Sequence, residues 1–505
     1  MTPDSLKDLV IPFDNTYLQL PEVFYSPASG HRTPAPAIVV FNEALARELG
    51  LHGSGLNSPQ GALVLSGNSL PVNGASIAMA YAGHQFGHFT NLGDGRAMLL
   101  GEYVTPQGAR VDFHLKGSGP TRYSRQGDGK ATLGPMLREY LISEGMHGLG
   151  VPTSRSLAVT KTGQWVQRET RQPGAVLLRV ASSHIRVGTF QYAAALRGQA
   201  PQHDHLLRSL ADYTLQRHFP ALQQDENRYR ALFSAVVQGQ AALAARWQQV
   251  GFIHGVLNTD NTFLSGETVD YGPCAFMDAY SPDAVFSSID RHGRYRYGQQ
   301  PTIIGWNLAR LAEALLPLFH PEERQALELA QDALSHYRAL YQEAFQKLFF
   351  AKVGLQGTPD TATAAQPLVD SLLRRLQDHG LDFTESFVYL TLTAQGHPLA
   401  DRYHRRYEAL DPWMADWHRL LDRQSPDAPP PAAVMKAHNP CVVPRNRWVE
   451  AALDSAVGRD DYTPFHQLLP LLKDPYAYSE AQLSEAFAPE GQAWGPEAYR
   501  TTCGT

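Results

Sequence analysis

Residues 254–272 read HGVLNTDNTFLSGETVDYG, and this stretch gives the clearest indication of the fold. Asn261 and Asp270 bring an amide oxygen and a carboxylate, nine residues apart, and Tyr271-Gly272 follows directly. Such hard oxygen atoms are the ligands that divalent metals take at phosphates. His-Gly, then Asn, then Asp-aromatic-Gly is also the order of a kinase metal loop. The stretch therefore favours a kinase-like metal site over two turn-forming residues.

The usual kinase base is missing from this loop. Such loops carry a catalytic Asp two residues after the His, where this chain has Val256. A valine side chain cannot accept a proton, and Asp260, just before the metal-ligating Asn, is the nearest carboxylate. Because a shift of four residues changes where a carboxylate points, ordinary γ-phosphate transfer is disfavoured. It stays open as an alternative, with Asp260 as a displaced base.

A lysine and a glutamate upstream fit the phosphate side of the same site. Apolar and polar residues alternate on both sides of Pro106-Gln107-Gly108, which predicts strands at about 97–104 and 109–116. Lys116 ends the second strand, and Glu139 lies on the helix predicted in LGPMLREYLISEGMHGLG. A lysine–glutamate pair of this kind orients a cation at nucleotide phosphates.

Two arginines and two glycine-rich loops complete the candidate site. Arg179 and Arg186 lie in LLRVASSHIRVGTF, and their planar guanidinium groups suit bidentate phosphate binding. The stretches NLGDGR (91–96) and QGDGK (126–130) allow close backbone approach to a ligand. The kinase GxGxxG loop is absent here, so the nucleotide is expected to be held differently.

The order of elements predicts an α+β, protein-kinase-like, two-lobed fold. We expect a mixed α/β N-lobe at 1–190 that grips the nucleotide, because hairpin and strand patterns dominate there. A mainly helical C-lobe at 191–424 would carry the metal loop between two long amphipathic helices. Residues 425–505 would form a proline-rich linker, SPDAPPPA, and a helical C-terminal extension packed on the kinase-like domain.

Composition limits the class of protein. The chain has 505 residues, 43% hydrophobic and 18% charged, which indicates a globular protein with a large core. Its formal net charge of −6 argues against general nucleic-acid binding. No apolar run approaches the ~20 residues that span a bilayer. Three cysteines and the lack of a signal-like N-terminus predict a cytoplasmic protein without a membrane or nucleic-acid partner.

Several blocks along the chain resemble the selenoprotein O family (SelO, also called YdiU) of protein adenylyltransferases. These blocks run through most of the chain and together are highly specific. They are YAGHQFGHF (81–89), LGDGRA (92–97), LKGSGPTRYSRQGDGKA (115–131), RVASSHIRVGTF (179–190), HGVLNTDN and DYGP (within 254–273), and NPCVVPRN (439–446).

The resemblance implies a pseudokinase fold that binds ATP in a flipped orientation and transfers AMP to Ser, Thr or Tyr hydroxyls of proteins, releasing pyrophosphate. It also implies a related uridylylating activity with Mn²⁺. Carried over by position, Lys116 would hold phosphate and pair with Glu139. Asn261 and Asp270 would bind Mg²⁺ (or Mn²⁺), Asp270 at the nucleotide phosphates, and Asp260 would accept the proton. The other nucleotide-binding residues would be Gly93, Gly95, Arg96, Asp128, Gly129, Arg179 and Arg186.

Cys503 occupies the C-terminal position where family members carry selenocysteine or cysteine. In some relatives it forms a disulfide with a loop beyond Asp-Tyr-Gly, but the matching stretch here, AYSPDAVFSSID (279–290), has no cysteine. Cys503 is therefore only a candidate redox residue. A non-catalytic ATP-binding scaffold is the remaining alternative, and the retained metal ligands argue against it.

Overall fold

The computed structural model describes residues 11–51, 55–70, 73–200, 203–356, 359–487 and 500–501, with the side chains of 359–362 outside that description. Most of its strands lie before residue 182. The strands are β1 (Tyr25–Pro27), β2 (Ala37–Phe41), β3 (Ile77–Met79), β4 (Ala82–Gln85), β5 (His88–Asn91), β6 (Ala97–Val104), β7 (Arg110–Lys116), β8 (Ala131–Thr132), β9 (Arg155–Gln167), β10 (Arg171–Ala181), β11 (Phe252–Ile253) and β12 (Ala275–Phe276).

The main sheet is antiparallel, in the order β1-β3-β6-β7-β10-β9-β2, with β8 paired to β10. The predicted hairpin is confirmed as β6 and β7, joined by the turn at Pro106-Gln107-Gly108. Gly108 has φ of +84° there, a conformation that glycine adopts without strain. Lys116, the last residue of β7, pairs with Leu177 of β10. The active-site lysine candidate thus lies at a central strand of the sheet.

Most of the helices lie from residue 187 onward, and the first three precede it. They are α1 (Glu43–Glu48), α2 (Pro59–Leu65), α3 (Leu133–Gly148), α4 (Val187–Leu196), α5 (Leu206–His218), α6 (Arg228–Gln249), α7 (Gln300–Phe319), α8 (Glu323–Lys352), α9 (Pro359–Asp378), α10 (Phe383–Ala394), α11 (Pro398–Tyr407), α12 (Asp411–Leu421), α13 (Pro431–His438), α14 (Asn446–Arg459), α15 (Thr463–Lys473) and α16 (Glu480–Ala486).

Helix α3 is buried on nearly all sides, because β9 and β10 cover one face and α14 and α15 cover another. Leu137 and Leu141 have no exposed surface, and the ring of Tyr140 lies 5.9 Å from that of Phe465 in α15. A helix covered all round needs no polar face. The helix is therefore fixed firmly enough to hold the carboxylate of Glu139 in one place.

The metal-loop stretch lies between α6 and α7, which pack on each other and on α8. The short strands β11 and β12 pair just before and after the loop, and residues Thr259–Asn261 form one turn of 3₁₀ helix. Both predicted long helices are confirmed in this part of the chain. The loop is therefore held at both ends by packed helices.

The architecture is mixed α/β with an antiparallel sheet, as the α+β prediction requires. The two-lobed arrangement and the limits of the three predicted domains stay predictions. Within the described ranges, every helix is too short or too polar to cross a membrane.

Candidate active site

Two carboxylates and two cations meet at the end of β7. The ammonium Nζ of Lys116 lies 2.7 Å from Oε2 of Glu139 and 2.6 Å from Oδ1 of Asp270. Arg179 donates from Nε to Oε1 of Glu139 and lies 3.3 Å, through Nη2, from Oδ1 of Asp270. Lys116 pairs with Leu177 and Arg179 pairs with His114, so alternation places the lysine and the arginine on the same face of the sheet. The predicted Lys116–Glu139 contact is present.

The charges of this cluster keep Asp270 ionised. Burial alone would raise the pKa of Asp270, but the positive charges of Lys116 and Arg179 outweigh it and hold the pKa far below its usual range. The charge of Arg96 acts in the same direction. An ionised carboxylate with 30% of its side chain exposed is suited to bind a cation.

Asp260 behaves in the opposite way. Its side chain is buried, Oδ1 has no hydrogen-bond partner, and burial raises its pKa to about 6 although the charge of Arg186 lowers it. Arg186 donates from Nη1 to the backbone carbonyl of Asp260 at 3.1 Å. Its guanidinium also stacks on Tyr81, 4.1 Å from the ring centroid. A carboxylate with a pKa near 6 is a competent proton acceptor near neutral pH.

Asn261 and Asp270 fit a divalent cation by chemistry. The amide nitrogen of Asn261 donates to the carbonyl of Val256 at 2.9 Å, which leaves the amide oxygen as its ligand atom. Asp270 would contribute its second carboxylate oxygen, since Oδ1 is paired with Lys116 and Arg179. His254 supports the loop through a 3.0 Å contact from Nε2 to the carbonyl of Val269. Among the described residues no group of three His, Cys, Asp or Glu forms a metal cluster, so phosphate or water oxygens would supply the other ligands.

The first glycine-rich loop packs against the site, and Asp94 anchors it. The Asp94 carboxylate accepts from the Met79 backbone N–H and contacts Nε2 of His114, each at 3.0 Å. Oδ1 of the same carboxylate lies 4.0 Å from Nη2 of Arg186. Gly93 has φ of +132°, and a Cβ there would lie 2.4 Å from the ring of Tyr123. Only glycine fits at that position.

Other predicted residues lie apart from this cluster. Asp128 forms a 2.9 Å ion pair with Arg168, beside β9, rather than contacting Lys116 or Asp270. Gly129 packs against the backbone of Gly119, with φ of +68°. These positions support the 117–130 loop, and a nucleotide role for them stays a prediction. Cys503 lies outside the described residues.

Sequence reasoning missed several neighbours of the site. Tyr81 and Gln85 both belong to the YAGHQFGHF block: Tyr81 stacks on Arg186, and the side chain of Gln85 bonds to Asp260. His114 and His184 stack with ring centroids 4.0 Å apart beside Asp94. The alternation of β7 gave a usable signal for His114, since it shares a face with Lys116.

Comparison with known proteins decides the family. A family model described as "Protein adenylyltransferase SelO" matches residues 8–473. This chain belongs to the SelO family.

Curated relatives of the SelO family align with almost the whole chain. A protein from Bacillus cytotoxicus named "Protein nucleotidyltransferase YdiU" is 50% identical over 493 residues, covering 98% of this chain and 97% of the relative. Proteins of the same name from Brevibacillus brevis and Geobacillus kaustophilus are 50% and 51% identical, covering 98% of this chain and 97% and 99% of their own lengths. At this identity and coverage, the chain is an enzyme of the nucleotidyltransferase class.

Proposed function

We propose that the protein transfers AMP from ATP to Ser, Thr or Tyr hydroxyls of other proteins and releases pyrophosphate. The observation that carries this proposal is the pairing of a cation-rich pocket around Asp270 with a buried, protonatable Asp260. Family membership supports nucleotidyl transfer, and the distribution of charge in the site supports attack at the α-phosphorus.

The distribution of charge favours a flipped nucleotide. Lys116, Arg179 and Arg96 act on Asp270, whereas Arg186 contacts Asp260 directly. The β- and γ-phosphates carry more negative charge than the α-phosphate and leave together as pyrophosphate. They are best matched by the larger group of cations, which favours an α-phosphate turned toward Asp260.

The reaction then follows from the positions of these groups. Asp260 accepts the proton of the acceptor hydroxyl, whose oxygen forms a bond to the α-phosphorus while the bond from that phosphorus to the β-bridging oxygen breaks. Lys116 and Arg179 stabilise the charge that develops on pyrophosphate. A divalent metal held by Asn261 and Asp270 would supply further charge neutralisation at the phosphates. The acceptor keeps AMP through a phosphodiester bond.

The test compares ATP labelled at the α-phosphate with ATP labelled at the γ-phosphate, using a mixture of acceptor proteins and Mg²⁺. We expect α-label on protein and γ-label in pyrophosphate. Protein labelled only from the γ-position would identify a kinase that uses Asp260 as its base. ATP binding without any transfer would identify a scaffold.

The same assay addresses the finer choices. UTP with Mn²⁺ tests UMP transfer, because oxygen ligands such as Asn261 and Asp270 serve both metals.

We also propose a cytoplasmic location, supported by Cys274 and Cys441, which are buried and unpaired. Burial raises the pKa of Cys274 to about 12, which makes this thiol unreactive and a poor redox partner.

A further inference from the structure

We propose that a basic cavity beside the hairpin β4–β5 docks an acidic, partly apolar segment of the acceptor protein. The inference rests on the proposed AMP transfer to proteins and adds the chemistry of the partner that the site recognises. The cavity has a volume of about 420 Å³. Its lining includes Phe86, Ile289, Asp290, Arg291, Arg294 and Arg296.

Strand β4 runs between the candidate base and the cavity. At the start of the hairpin, a Cβ added to Gly83 would lie 2.8 Å from Oδ1 of Asp260. At its tip, the Phe86 N–H contacts Oδ1 of Asn258 at 3.1 Å and the Tyr295 hydroxyl at 3.2 Å. The four-residue strand β4 thus lies with Asp260 near its first residues and the cavity just beyond its last residue. A segment bound in the cavity can present a neighbouring hydroxyl to Asp260.

The tip of the hairpin is held in an unfavourable conformation. Phe86 has φ of +50°, which is uncommon for an aromatic residue, and the two contacts of its N–H hold it there. Its ring packs on Tyr295 with centroids 5.0 Å apart. Retained strain of this kind concentrates at ligand-binding sites. Here it fixes an apolar ring at the cavity wall.

The charge of the lining selects an acidic partner. Three arginines line the cavity: Arg291 is exposed, and Arg296 is paired with the exposed Asp283, whose Oδ1 lies 3.0 Å from its Nε. Only one carboxylate lines it, that of Asp290, and its two oxygens accept the backbone N–H groups of Arg294 and Tyr295 at 2.8 Å each. Arg291 and Arg294 therefore outnumber the carboxylate of Asp290 and leave the cavity net positive, in a chain whose formal net charge is −6. Local positive charge of this kind attracts carboxylates and speeds their association.

Apolar side chains indicate that the segment is a peptide rather than a polyphosphate. Ile289 is 47% exposed, and Phe86 and Ile303 also line the cavity. Arg294 is stacked on Trp306, 4.8 Å from its ring centroid, which fixes that guanidinium at the wall. A mixed apolar and cationic wall matches glutamates or aspartates interleaved with leucine-like residues.

The experiment uses the full chain and two fluorescein-labelled peptides. Each peptide has one threonine flanked by leucines, with four glutamates in one and four glutamines in the other. Anisotropy without ATP measures binding, and α-labelled ATP measures transfer. We expect the glutamate peptide to bind about tenfold more tightly, and the difference to shrink at about 1 M salt, where the Debye length falls to about 3 Å.

Arg291→Glu is the informative variant, and Arg423→Glu is its matched control. Both residues are exposed, both changes alter the net charge equally, and Arg423 lies after α12, outside the cavity lining. We expect Arg291→Glu to raise the KM for the glutamate peptide about tenfold with kcat unchanged, and the control to leave both constants unchanged.

The outcomes separate the two proposals. Equal binding of both peptides, or an Arg291→Glu variant that binds like the parent protein, overturns the docking site. So does tighter binding of a single-stranded RNA of similar length that is lost in Arg291→Glu, which would make the cavity a nucleic-acid surface. Peptide binding as expected without any α-label transfer leaves the docking site in place and overturns AMP transfer instead.

Discussion

Asp260 and Asp270 lie in the same loop stretch, yet their surroundings drive them to opposite protonation behaviour. Asp270 touches two cations and stays ionised, whereas Asp260 is buried with one unpaired oxygen and a pKa of about 6. Environments that separate two carboxylates in this way assign them different roles. At the residue scale, the structure thus supports a metal ligand in Asp270 and a proton acceptor in Asp260.

The pH dependence of transfer tests the role of Asp260. Because Asp260 must lose its proton to act as a base, kcat/KM should rise through about pH 6 and then level off. Asp260→Asn should lower the rate about 10²–10⁴-fold and remove this rise. Steady-state kinetics between pH 5 and about 8 measure both effects. A variant that keeps the parent profile would exclude Asp260 as the base.

The same variant makes a prediction about stability. Folding raises the pKa of Asp260 from 3.8 to about 6. The stability that Asp260 contributes to the fold is therefore fully present while its carboxyl is protonated, and it is lost as pH rises from 3.8 through about 6. Near pH 8 the buried charge costs about 3 kcal/mol, which Asp260→Asn should recover. Urea unfolding at pH 4 and at pH 8 checks this. A gain of equal size at both pH values would contradict a cost due to ionisation.

Removal of Asp270 tests the metal site. Asp270→Ala should abolish α-label transfer, because it removes the ionised metal ligand and leaves Lys116 and Arg179 with Glu139 as their remaining carboxylate partner in this cluster. Asp332→Ala, which removes an exposed carboxylate on α8, is the matched control and should transfer normally. Normal transfer by Asp270→Ala over a range of Mg²⁺ concentrations would refute the site.

At the scale of elements, sequence pattern predicted the parts with regular periodicity. Alternation defined β6 and β7 almost to the residue, and helical spacing defined α6 and α7. The sequence pattern did not predict the short hairpin β4–β5, because four-residue strands give little periodic signal. Its position depends on contacts with Asn258 and Thr259, far away in the sequence. No local pattern carries that information.

Two glycine-to-alanine substitutions, one in α4 and a control in α6, test the packing of α4 against β4. A Cβ at Gly188, in the first turn of α4, would lie 2.0 Å from the backbone oxygen of Ala82. Gly188→Ala should therefore destabilise the protein by about 1–3 kcal/mol or more, since backbone must move. Gly239→Ala on α6 meets nothing within 4 Å and should stabilise by about 0.5–1 kcal/mol. Urea unfolding of both variants checks the contrast, and equal effects would contradict the close approach.

At the scale of the whole molecule, Arg445 joins three distant segments. Its buried guanidinium pairs with Asp278, which follows the metal loop, and lies 2.7 Å from Oδ2 of Asp382, the N-cap of α10. Glu385 adds a third carboxylate at 3.6 Å. The C-terminal segment is thereby tied to the element that carries the candidate metal ligands.

Loss of this guanidinium should be costly. Arg445→Met leaves the partly buried Asp278 and Asp382 without this cation, whereas Glu385 keeps Arg406 at 3.0 Å, so we expect the free energy of unfolding to fall by up to about 3–5 kcal/mol. Arg374→Met, an exposed arginine on α9 whose Nε donates to its own helix, should change it by less than about 0.5 kcal/mol. Urea unfolding compares the two, and similar small effects would show that the C-terminal segment is not held through Arg445.

The sequence alone determined the family, the order of elements, the Lys116–Glu139 pair and the two candidate metal ligands, because short motifs and periodicity carry these features. Only the tertiary structure decided that Arg179 and Asp270 share the Lys116 cluster, that Asp260 is buried with a raised pKa, and that Asp128 pairs elsewhere. Those properties arise from burial and from charges contributed by residues far apart in the chain. A pattern of neighbours along the sequence cannot encode them.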